Sequence, residues 1–301
     1  MNNNILLESG TGEVEILEFV ISQKHYAINI IKVKEVINTT NLTKLPDSHP
    51  AIAGLTLYRD KIITLVDLKY ILEKQHKTEI ESTIILCEFN KIQVAFSIDS
   101  IVGVNRIKWD KITKPDDISI NSLVIGNIVI NDKIILLLDF EKIVTEISPS
   151  TGITEDKIND IAYKDRSNVK LVLADDSPLI RRLLNDTLTK AGFNNLKIFD
   201  DGKQVLVYLL ELVQKKNSNF IEDVNVLITD IEMPQMDGHT LTRKIKEHSI
   251  LKKLPVILFS SLITADLRHK GESVGANAQM SKPEIGELVT CIDGFTDFSH
   301  K

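Results

Sequence analysis

The sequence predicts two domains of different fold class, an all-β first half made of two small barrels and an α/β second half with a doubly wound, five-stranded parallel sheet. Three observations support this prediction. The 301 residues suffice for two hydrophobic cores, short runs rich in isoleucine and valine fill the first half, and apolar strands alternate with amphipathic helices in the second half. We place the first domain at residues 1–148, a linker at 149–167 and the second domain at 168–301.

The composition indicates a globular protein and disfavours several other classes. A hydrophobic content of 43% and a charged content of 26% are typical of globular proteins, and no apolar run approaches the roughly 20 residues that a membrane-spanning helix needs. The first five residues, Met-Asn-Asn-Asn-Ile, lack the features of a signal peptide, so we expect a cytoplasmic protein without membrane insertion. The net charge of -6 disfavours a nucleic-acid surface. Cys87 and Cys291 lie too far apart to suggest a zinc site.

Seven runs in the first half predict strands, with glycine, asparagine, aspartate or proline between them. They are Glu15–Ile21, His25–Ile30, Lys61–Val66, Thr83–Phe89, Ile92–Ile98, Leu123–Ile130 and Lys133–Leu138. Many short strands favour barrels or a sandwich. The histidines of this half are isolated from one another, so the pattern is typical of a binding module and not of a catalyst.

An internal repeat supports two related barrels. Residues 54–72 align with 126–144 at an offset of 72, and eight of the nineteen positions are identical. Each copy contains an Asp-Lys hairpin turn, and each apolar strand ends in an aspartate, Asp67 or Asp139, which predicts a helix N-cap. The copies differ at Arg59, where the second copy has Asn131. Arg59 is therefore a candidate interface residue, with a solvated turn residue as the alternative.

Ordered motifs in this half resemble CheW-type chemotaxis coupling domains. The motifs are residues 5–19, Lys-Glu-Val at 34–36, Leu-Thr-Lys-Leu-Pro at 42–46, residues 54–67 and Leu-Leu-Leu-Asp at 136–139. The opening segment, 5–19, is similar to that of the CheV proteins in particular. The sequence departs from the family at the hairpin turn, because Asp60 follows Arg59 where a glycine is usual and Thr64 takes the place of a proline.

The second half alternates between strands and helices in five βα units. The predicted strands are Val169–Ala174, Leu196–Phe199, Val224–Thr229, Val256–Phe259 and Ala278–Met280, and the predicted helices are Pro178–Lys190, Lys203–Gln214, His239–Glu247, Ala265–Val274 and 284–297. Continuously apolar strands indicate a parallel sheet that is buried on both faces. A further short helix is possible at 155–163 within the linker.

Polar residues follow four of these strands at the same edge of the sheet. The first strand is followed by Asp175 and Asp176, the third by Asp230, the fourth by Ser260 and the fifth by Lys282. Adjacent carboxylates repel each other unless a cation lies among them, and oxygen ligands suit Mg²⁺. Each residue alone could be a cap or a loop residue. Together they predict a site where Asp230 attacks a phosphoryl group.

These strand ends resemble the site of response-regulator receiver domains. The resemblance implies that Asp230 is the phosphoacceptor, that Ser260 and Lys282 contact the phosphoryl group, and that Mg²⁺ is held by Asp175, Asp176, Asp230 and the backbone carbonyl of Glu232. It also implies the strand order 2-1-3-4-5 of flavodoxin-like folds, which is the order found in CheY. Two departures stand out. Glu232 points near the site, and Gln279 replaces an aromatic switch residue, so we interpret Gln279 as unable to gate the response.

A coupling domain before a receiver is the arrangement of CheV proteins. The resemblance implies a cytoplasmic chemotaxis adaptor that docks on the histidine kinase CheA and on chemoreceptor tips, with phosphorylation of Asp230 modulating the coupling. A phosphate sink that competes for phosphoryl groups is the alternative. We expect no dedicated enzyme, because Asp-based phosphatases usually carry a second aspartate where this chain has Glu232. No DNA-binding domain follows the receiver in the sequence, which disfavours a transcription factor.

Overall fold

The structure is a computed structural model that describes residues 12–39, 42–75, 82–89, 92–113, 123–148, 162–261, 265–282 and 284–296. The chain divides into two compact units, one of which spans Val14–Thr151 while the other includes the chain from Gly152 onward. The possible helix at 155–163 lies outside the described residues except for its last two positions, which are not helical.

In its described residues, the first unit has ten strands and two short α-helices. These are β1 Glu13–Ile21, β2 Lys24–Asn29, β3 Val33–Thr39, β4 Ile52–Tyr58, β5 Lys61–Asp67, α1 Leu68–Glu73, β6 Ser82–Phe89, β7 Ile92–Ile98, β8 Ser100–Lys108, β9 Val124–Ile130, β10 Lys133–Leu138 and α2 Phe140–Ile147. One sheet has the order β3-β6-β7-β5-β4 and the other the order β8-β1-β2-β10-β9. The all-β prediction is confirmed, and the first two strands join the sheet of the second repeat copy.

The repeat in sequence is also a repeat in structure. β4, β5 and α1 begin at residues 52, 61 and 68, and β9, β10 and α2 begin 72 residues later, at 124, 133 and 140. Both hairpin turns have left-handed backbone at their two central residues, Arg59 and Asp60 in the first copy and Asn131 and Asp132 in the second. This conformation matches the twist of a two-residue hairpin, which is why both turns are short.

Both predicted N-caps are present. The Asp67 carboxylate accepts a hydrogen bond of 3.1 Å from the backbone N–H of Tyr70, and Asp139 accepts one of 2.9 Å from Lys142. Each aspartate satisfies a donor that the first helical turn leaves without an intrahelical partner.

The first unit has one aromatic core between its sheets. Phe140 at the start of α2 packs edge-on against Phe96 of β7, with ring centroids 4.7 Å apart, and contacts Phe19 of β1 at 6.2 Å. β7 and β1 belong to different sheets. The repeated helix therefore ties the two sheets together through apolar burial, which is the main source of folding stability.

Three strands, β3, β4 and β8, carry no strand prediction. The long β8 bears polar residues where an alternating strand would have apolar ones. Their partners explain this, because Asn105 donates to Glu18 at 2.8 Å and Arg106 donates to Glu15 at 2.7 Å across the β8–β1 edge. The buried carboxylates of Glu15 and Glu18 therefore have hydrogen-bond partners, which lowers the free-energy cost of burying their charge.

The second unit is an open α/β sheet. Its strands are β11 Lys170–Ala174, β12 Asn195–Phe199, β13 Val226–Thr229, β14 Val256–Ser260 and β15 Ala278–Ser281, and its helices are α3 Pro178–Lys190, α4 Gly202–Lys216, α5 Gly238–Glu247, α6 Ala265–Ser273 and α7 Ile285–Thr296. The sheet order is β12-β11-β13-β14-β15 and all four pairings are parallel. The predicted order 2-1-3-4-5 is confirmed.

The described end of the predicted linker packs against this unit. The Arg166 guanidinium donates two hydrogen bonds of 2.7 Å to the Asp293 carboxylate of α7 and a further one to the carbonyl of Ala191, and it lies 5.1 Å from the Phe193 ring centroid. A Cβ on Gly192 would lie 1.9 Å from the Lys164 carbonyl oxygen. Residues 164–166 are therefore built into the second unit.

Candidate functional site

The parallel register brings four strand ends to one edge of the sheet. Ala174 pairs with Thr229, Thr229 pairs with Leu258, and Ser260 pairs with Ser281. The predicted site residues Asp175, Asp230 and Lys282 follow Ala174, Thr229 and Ser281 directly, and Ser260 is the last residue of its own strand. Their side chains gather because neighbouring parallel strands end together, as in other open α/β sheets.

Lys282 joins the two buried carboxylates of the site. Its Nζ lies 2.9 Å from Oδ2 of Asp230 and 3.0 Å from Oδ2 of Asp175. All three side chains are buried. A buried carboxylate needs such a counter-charge, since an isolated charge in the interior is very costly.

An acidic cluster surrounds this lysine contact. Asp175, Asp176 and Asp230 each place one carboxylate oxygen so that all three oxygens lie within 4.8 Å of one another. Three carboxylates beside a single ammonium group, which contacts two of them, leave an excess of negative charge. Hard carboxylate oxygens at this spacing fit a divalent cation such as Mg²⁺, which prefers oxygen ligands.

Burial changes the pKa of Asp175. Loss of hydration raises the pKa of Asp175 above its ordinary value, the Lys282 ammonium partly offsets this rise, and the nearby Asp230 adds to it. The backbone N–H of Ser177 donates to Asp175 at 2.9 Å. A cation close to Asp175 would therefore stabilise the ionised form of this buried carboxylate.

The loop after Asp230 is tightly folded by its own sequence. Oδ1 of Asp230 accepts from the Ile231 N–H at 2.7 Å, and Gln235 has left-handed backbone with φ of 67°. Asp237 caps α5 by accepting from the Thr240 N–H at 2.9 Å. A Cβ on Gly238 would lie 2.0 Å from the Asp230 carbonyl oxygen. Gly238 therefore allows the loop to pack closely against the backbone of Asp230.

The other predicted residues divide between the site and the surface. Ser260 is buried at the end of β14, and its backbone carbonyl accepts from the Lys282 N–H at 3.1 Å. Glu232 is half-buried in the loop after Asp230. Arg59 belongs to the first unit, is 73% exposed, contacts Glu35 at 2.9 Å and lies 5.0 Å from the Tyr58 ring centroid. The roles of Ser260 and Glu232 at the site and of Arg59 at an interface stay predictions.

One described residue at the site, Arg181, is not predicted from the sequence. Arg181, in the first turns of α3, donates a hydrogen bond of 2.7 Å to the backbone carbonyl of Asp175. It thereby fixes the strand end from which the first carboxylate projects. A cation one turn after a predicted helix start is a weak signal in sequence, because arginine is common on helix surfaces.

Comparisons with known proteins agree with this architecture. The CheW-like domain family matches residues 15–148, and the response regulator receiver domain family matches residues 171–293. The chain is 29% identical to chemotaxis protein CheV3 of Helicobacter pylori, over 90% of each chain, and 32% identical to chemotaxis protein CheY1 of the same organism, over 31% of this chain and 68% of that one. It is similar to the crystal structure of scaffolding protein TtCheW from Thermoanaerobacter tengcongensis, at 26% identity over 42% of this chain and 88% of that chain, with a TM-score of 0.39.

The chain therefore belongs to the CheV-type chemotaxis proteins, in which a CheW-like domain precedes a response-regulator receiver domain. It is a chemotaxis coupling adaptor with a receiver of the phosphorylatable class, and its role lies in the chemotaxis kinase and receptor complex. The phosphate-sink alternative is not favoured. Within the described parts of the chain, no helix combines the length and apolar character needed to cross a membrane.

Proposed function

We propose that Asp230 accepts a phosphoryl group from a phosphohistidine of CheA, and that this phosphorylation modulates how the CheW-like domain couples chemoreceptor tips to the kinase. The observation that supports the proposal most directly is the Lys282 contact, with Nζ 2.9 Å from Asp230 and 3.0 Å from Asp175 beside a third carboxylate. Only at this cluster do the described residues combine grouped carboxylates with a buried lysine.

The side chains have distinct tasks in the transfer. A carboxylate oxygen of Asp230 attacks phosphorus, the phosphorus–nitrogen bond of the donor breaks, and the imidazole leaves and takes up a proton. During this step, Lys282 and the Ser260 hydroxyl donate to the phosphoryl oxygens, which carry most of the charge in the transition state. The product is an acyl phosphate that water later hydrolyses. We propose no activity on an external substrate, and so no dedicated enzyme.

The acidic cluster is the proposed Mg²⁺ site. The carboxylates of Asp175, Asp176 and Asp230 and the backbone carbonyl of Glu232 would hold the ion. Three carboxylate oxygens within 4.8 Å of one another fit a divalent cation. When bound, Mg²⁺ supplies charge neutralisation for the phosphoryl oxygens. Arg181 holds the Asp175 backbone in place through its carbonyl.

Docking is assigned to the CheW-like domain. Each repeat hairpin presents an exposed cross-strand apolar pair, Leu57 with Ile62 in the first copy and Val129 with Ile134 in the second. Leu57 and Ile62 are 70% and 74% exposed. Large apolar side chains that stand together at the surface are typical of protein interaction sites. Arg59 lies at the turn of the first hairpin, which supports its assignment as an interface residue.

The test is transfer of labelled phosphate. The full chain is incubated with phosphorylated CheA and Mg²⁺, and label on the chain is followed over time and mapped by mass spectrometry. We expect label on Asp230 alone, its loss in Asp230→Asn, and its loss in EDTA. Asp237→Asn is the matched control, because Asp237 is a buried aspartate in the same loop that caps α5. Label that persists in Asp230→Asn at the wild-type rate would contradict the assignment.

A further inference from the structure

Helix α6 has little apolar contact with the rest of the second unit. Among its described side chains, only Leu267 is a large apolar residue that is buried, and Val274 follows the helix at its end. The remaining helix sequence is polar and includes Gly271, which lowers helix propensity. Polar contacts therefore have a large share in fixing the position of α6.

Two polar side chains from neighbouring elements contact consecutive residues of α6. The Gln279 side-chain amide on β15 donates a hydrogen bond of 2.7 Å to the backbone carbonyl of Arg268. His239 on α5 is buried and hydrogen-bonds the backbone of Leu267. The first turns of α6 are thus held from both sides by side chains that reach its backbone.

The Gln279 amide fits against a glycine. A Cβ added to Gly271 would lie 2.2 Å from Oε1, 2.4 Å from Cδ and 2.7 Å from Nε2 of Gln279. No real Cβ approaches other atoms so closely, so any side chain at 271 would displace the amide. Gly271 and Gln279 are therefore complementary in shape. This contact is the reason to reconsider the interpretation that Gln279 is unable to gate the response.

The side-chain amide of Gln279 is only partly hydrogen-bonded. Oε1 of Gln279 is buried and has no hydrogen-bond partner among the described residues. A buried acceptor without a donor costs free energy, so the amide is held less firmly than a fully paired group would be. A small shift of β15 can therefore break the hydrogen bond between Gln279 and Arg268.

Gln279 is connected to the proposed phosphorylation site through one pair of strands. Gln279 pairs with Leu258, and two residues further along Ser281 pairs with Ser260. The Lys282 N–H donates to the Ser260 carbonyl at 3.1 Å. Any movement of Ser260 toward a phosphoryl group therefore acts on the end of β15 that carries both Lys282 and Gln279.

We propose that Gln279 is a polar latch that holds α6 in its resting position, and that occupation of the site releases this latch. The amide leaves the Arg268 carbonyl and the Gly271 surface, and α6 becomes free to present a different face. The triggering step rests on the proposed function of Asp230, whereas the latch itself does not. Gln279 is thus a positioning residue that acts through α6 and does not touch the phosphoryl group.

The resting latch is tested without any phosphoryl group. Amide hydrogen exchange is measured in the full chain over residues 265–275. Gln279→Ala should speed exchange there by about fivefold, the factor expected for loss of one neutral hydrogen bond. Gly271→Ala raises helix propensity but displaces the amide, so we expect exchange to become faster as well. Ser273→Ala is the matched control: it raises helix propensity at an exposed position of the same helix and removes only the local hydrogen bond from the Ser273 hydroxyl to the Lys270 carbonyl, so it should slow exchange or leave it unchanged.

The release is tested with beryllofluoride and Mg²⁺ as the phosphoryl mimic. Exchange over 265–275 should rise in the wild type, should rise little further in Gln279→Ala, and should not respond in Asp230→Asn. Fluorine NMR reports separately whether the mimic binds. A mimic that fails to bind overturns the proposed function, whereas a bound mimic without faster exchange overturns the trigger. Gln279→Ala and Gly271→Ala that both behave like Ser273→Ala overturn the latch.

Discussion

Lys282 places its Nζ 2.9 Å from Oδ2 of Asp230, although the two residues are 52 positions apart in the chain. The same ammonium group lies 3.0 Å from Asp175, and Asp176 completes the cluster. One cation is therefore shared by two carboxylates, and a third carboxylate lies close to both. This balance keeps the buried charges tolerable and leaves a net attraction for a second, divalent cation.

Removal of Lys282 should shift this balance toward the metal. In Lys282→Met the carboxylates lose their ammonium partner, so we expect Mg²⁺ to bind at least about tenfold more tightly while phosphoryl acceptance falls. Titration calorimetry measures the affinity, and label transfer measures acceptance. Lys246→Met is the control, because Lys246 donates to the Leu254 carbonyl at 2.6 Å and contacts no residue of the cluster. Unchanged Mg²⁺ affinity in Lys282→Met would contradict the shared-cation account.

His239 should make the second unit less stable in mild acid. Burial lowers the pKa of His239 to about 4, whereas an unfolded histidine has a pKa of about 6.5. As pH falls below 6.5, the unfolded chain binds a proton that the folded chain does not. Between about pH 7 and pH 5 this costs the folded state about 1 to 2 kcal/mol.

His239→Gln should remove that part of the pH dependence. Urea unfolding of the second unit at the two pH values, followed by amide exchange of β13, measures the change in the free energy of unfolding. The exposed His269 provides the control, since it lies 88% exposed beside Glu272 and His269→Gln should leave the profile as in the wild type. An identical loss of stability on acidification in His239→Gln would refute the explanation.

Arg59 should contribute to docking because of its place in the repeat. Its left-handed turn position is occupied by Asn131 in the second copy, so Arg59→Asn makes the two turns alike with a residue that tolerates left-handed backbone well. We expect Arg59→Asn to weaken binding to the assembled kinase and receptors by several-fold, and Asn131→Arg to leave it unchanged. Co-sedimentation with receptor membranes measures the binding. Equal binding by Arg59→Asn and the wild type would make Arg59 an ordinary surface residue.

Arg166 should stabilise the second unit although it lies in the predicted linker. Its guanidinium holds the pKa of Asp293 below the ordinary value. Arg166→Ala should lower the free energy of unfolding of that unit by about 2 kcal/mol at neutral pH. The difference should shrink as pH falls through the lowered pKa of Asp293, because a protonated Asp293 no longer pairs with a guanidinium.

The control for Arg166 is another arginine of the same unit. Arg182 is 83% exposed and lies 3.9 Å from Asp186, so Arg182→Ala should change stability by a few tenths of a kcal/mol at most. Unfolding of the second unit is followed as for His239. An Arg166→Ala variant as stable as Arg182→Ala would show that residues 164–166 behave as a linker.

Sequence patterns predict the features that depend on local chemistry. The strand ends of the second unit follow from apolar runs that stop at a carboxylate, a serine or a lysine, and their meeting follows from the parallel sheet. The caps at Asp67 and Asp139 follow from the repeat. In each case the signal and the structure lie within a few residues of one another.

Features that depend on distant partners are not predictable in this way. Arg166 lies in a polar segment, and its partner Asp293 is 127 positions away, so nothing local distinguishes it from a linker residue. β8 is hidden because Arg106 pairs with Glu15, 91 positions earlier. Gln279 likewise shows its contact with α6 only once the strand and the helix are packed together.

The most direct test of the central claim is the composition of the signalling complex with and without the phosphoryl mimic. Receptor membranes, CheA and the full chain are assembled in Mg²⁺, and the amounts of kinase and chain that sediment with the receptors are measured before and after beryllofluoride is added. A phosphorylation-controlled adaptor predicts a change in composition with the wild type and none with Asp230→Asn. An unchanged complex, with the mimic bound at Asp230, would contradict the account and return the receiver to the role of a phosphate sink.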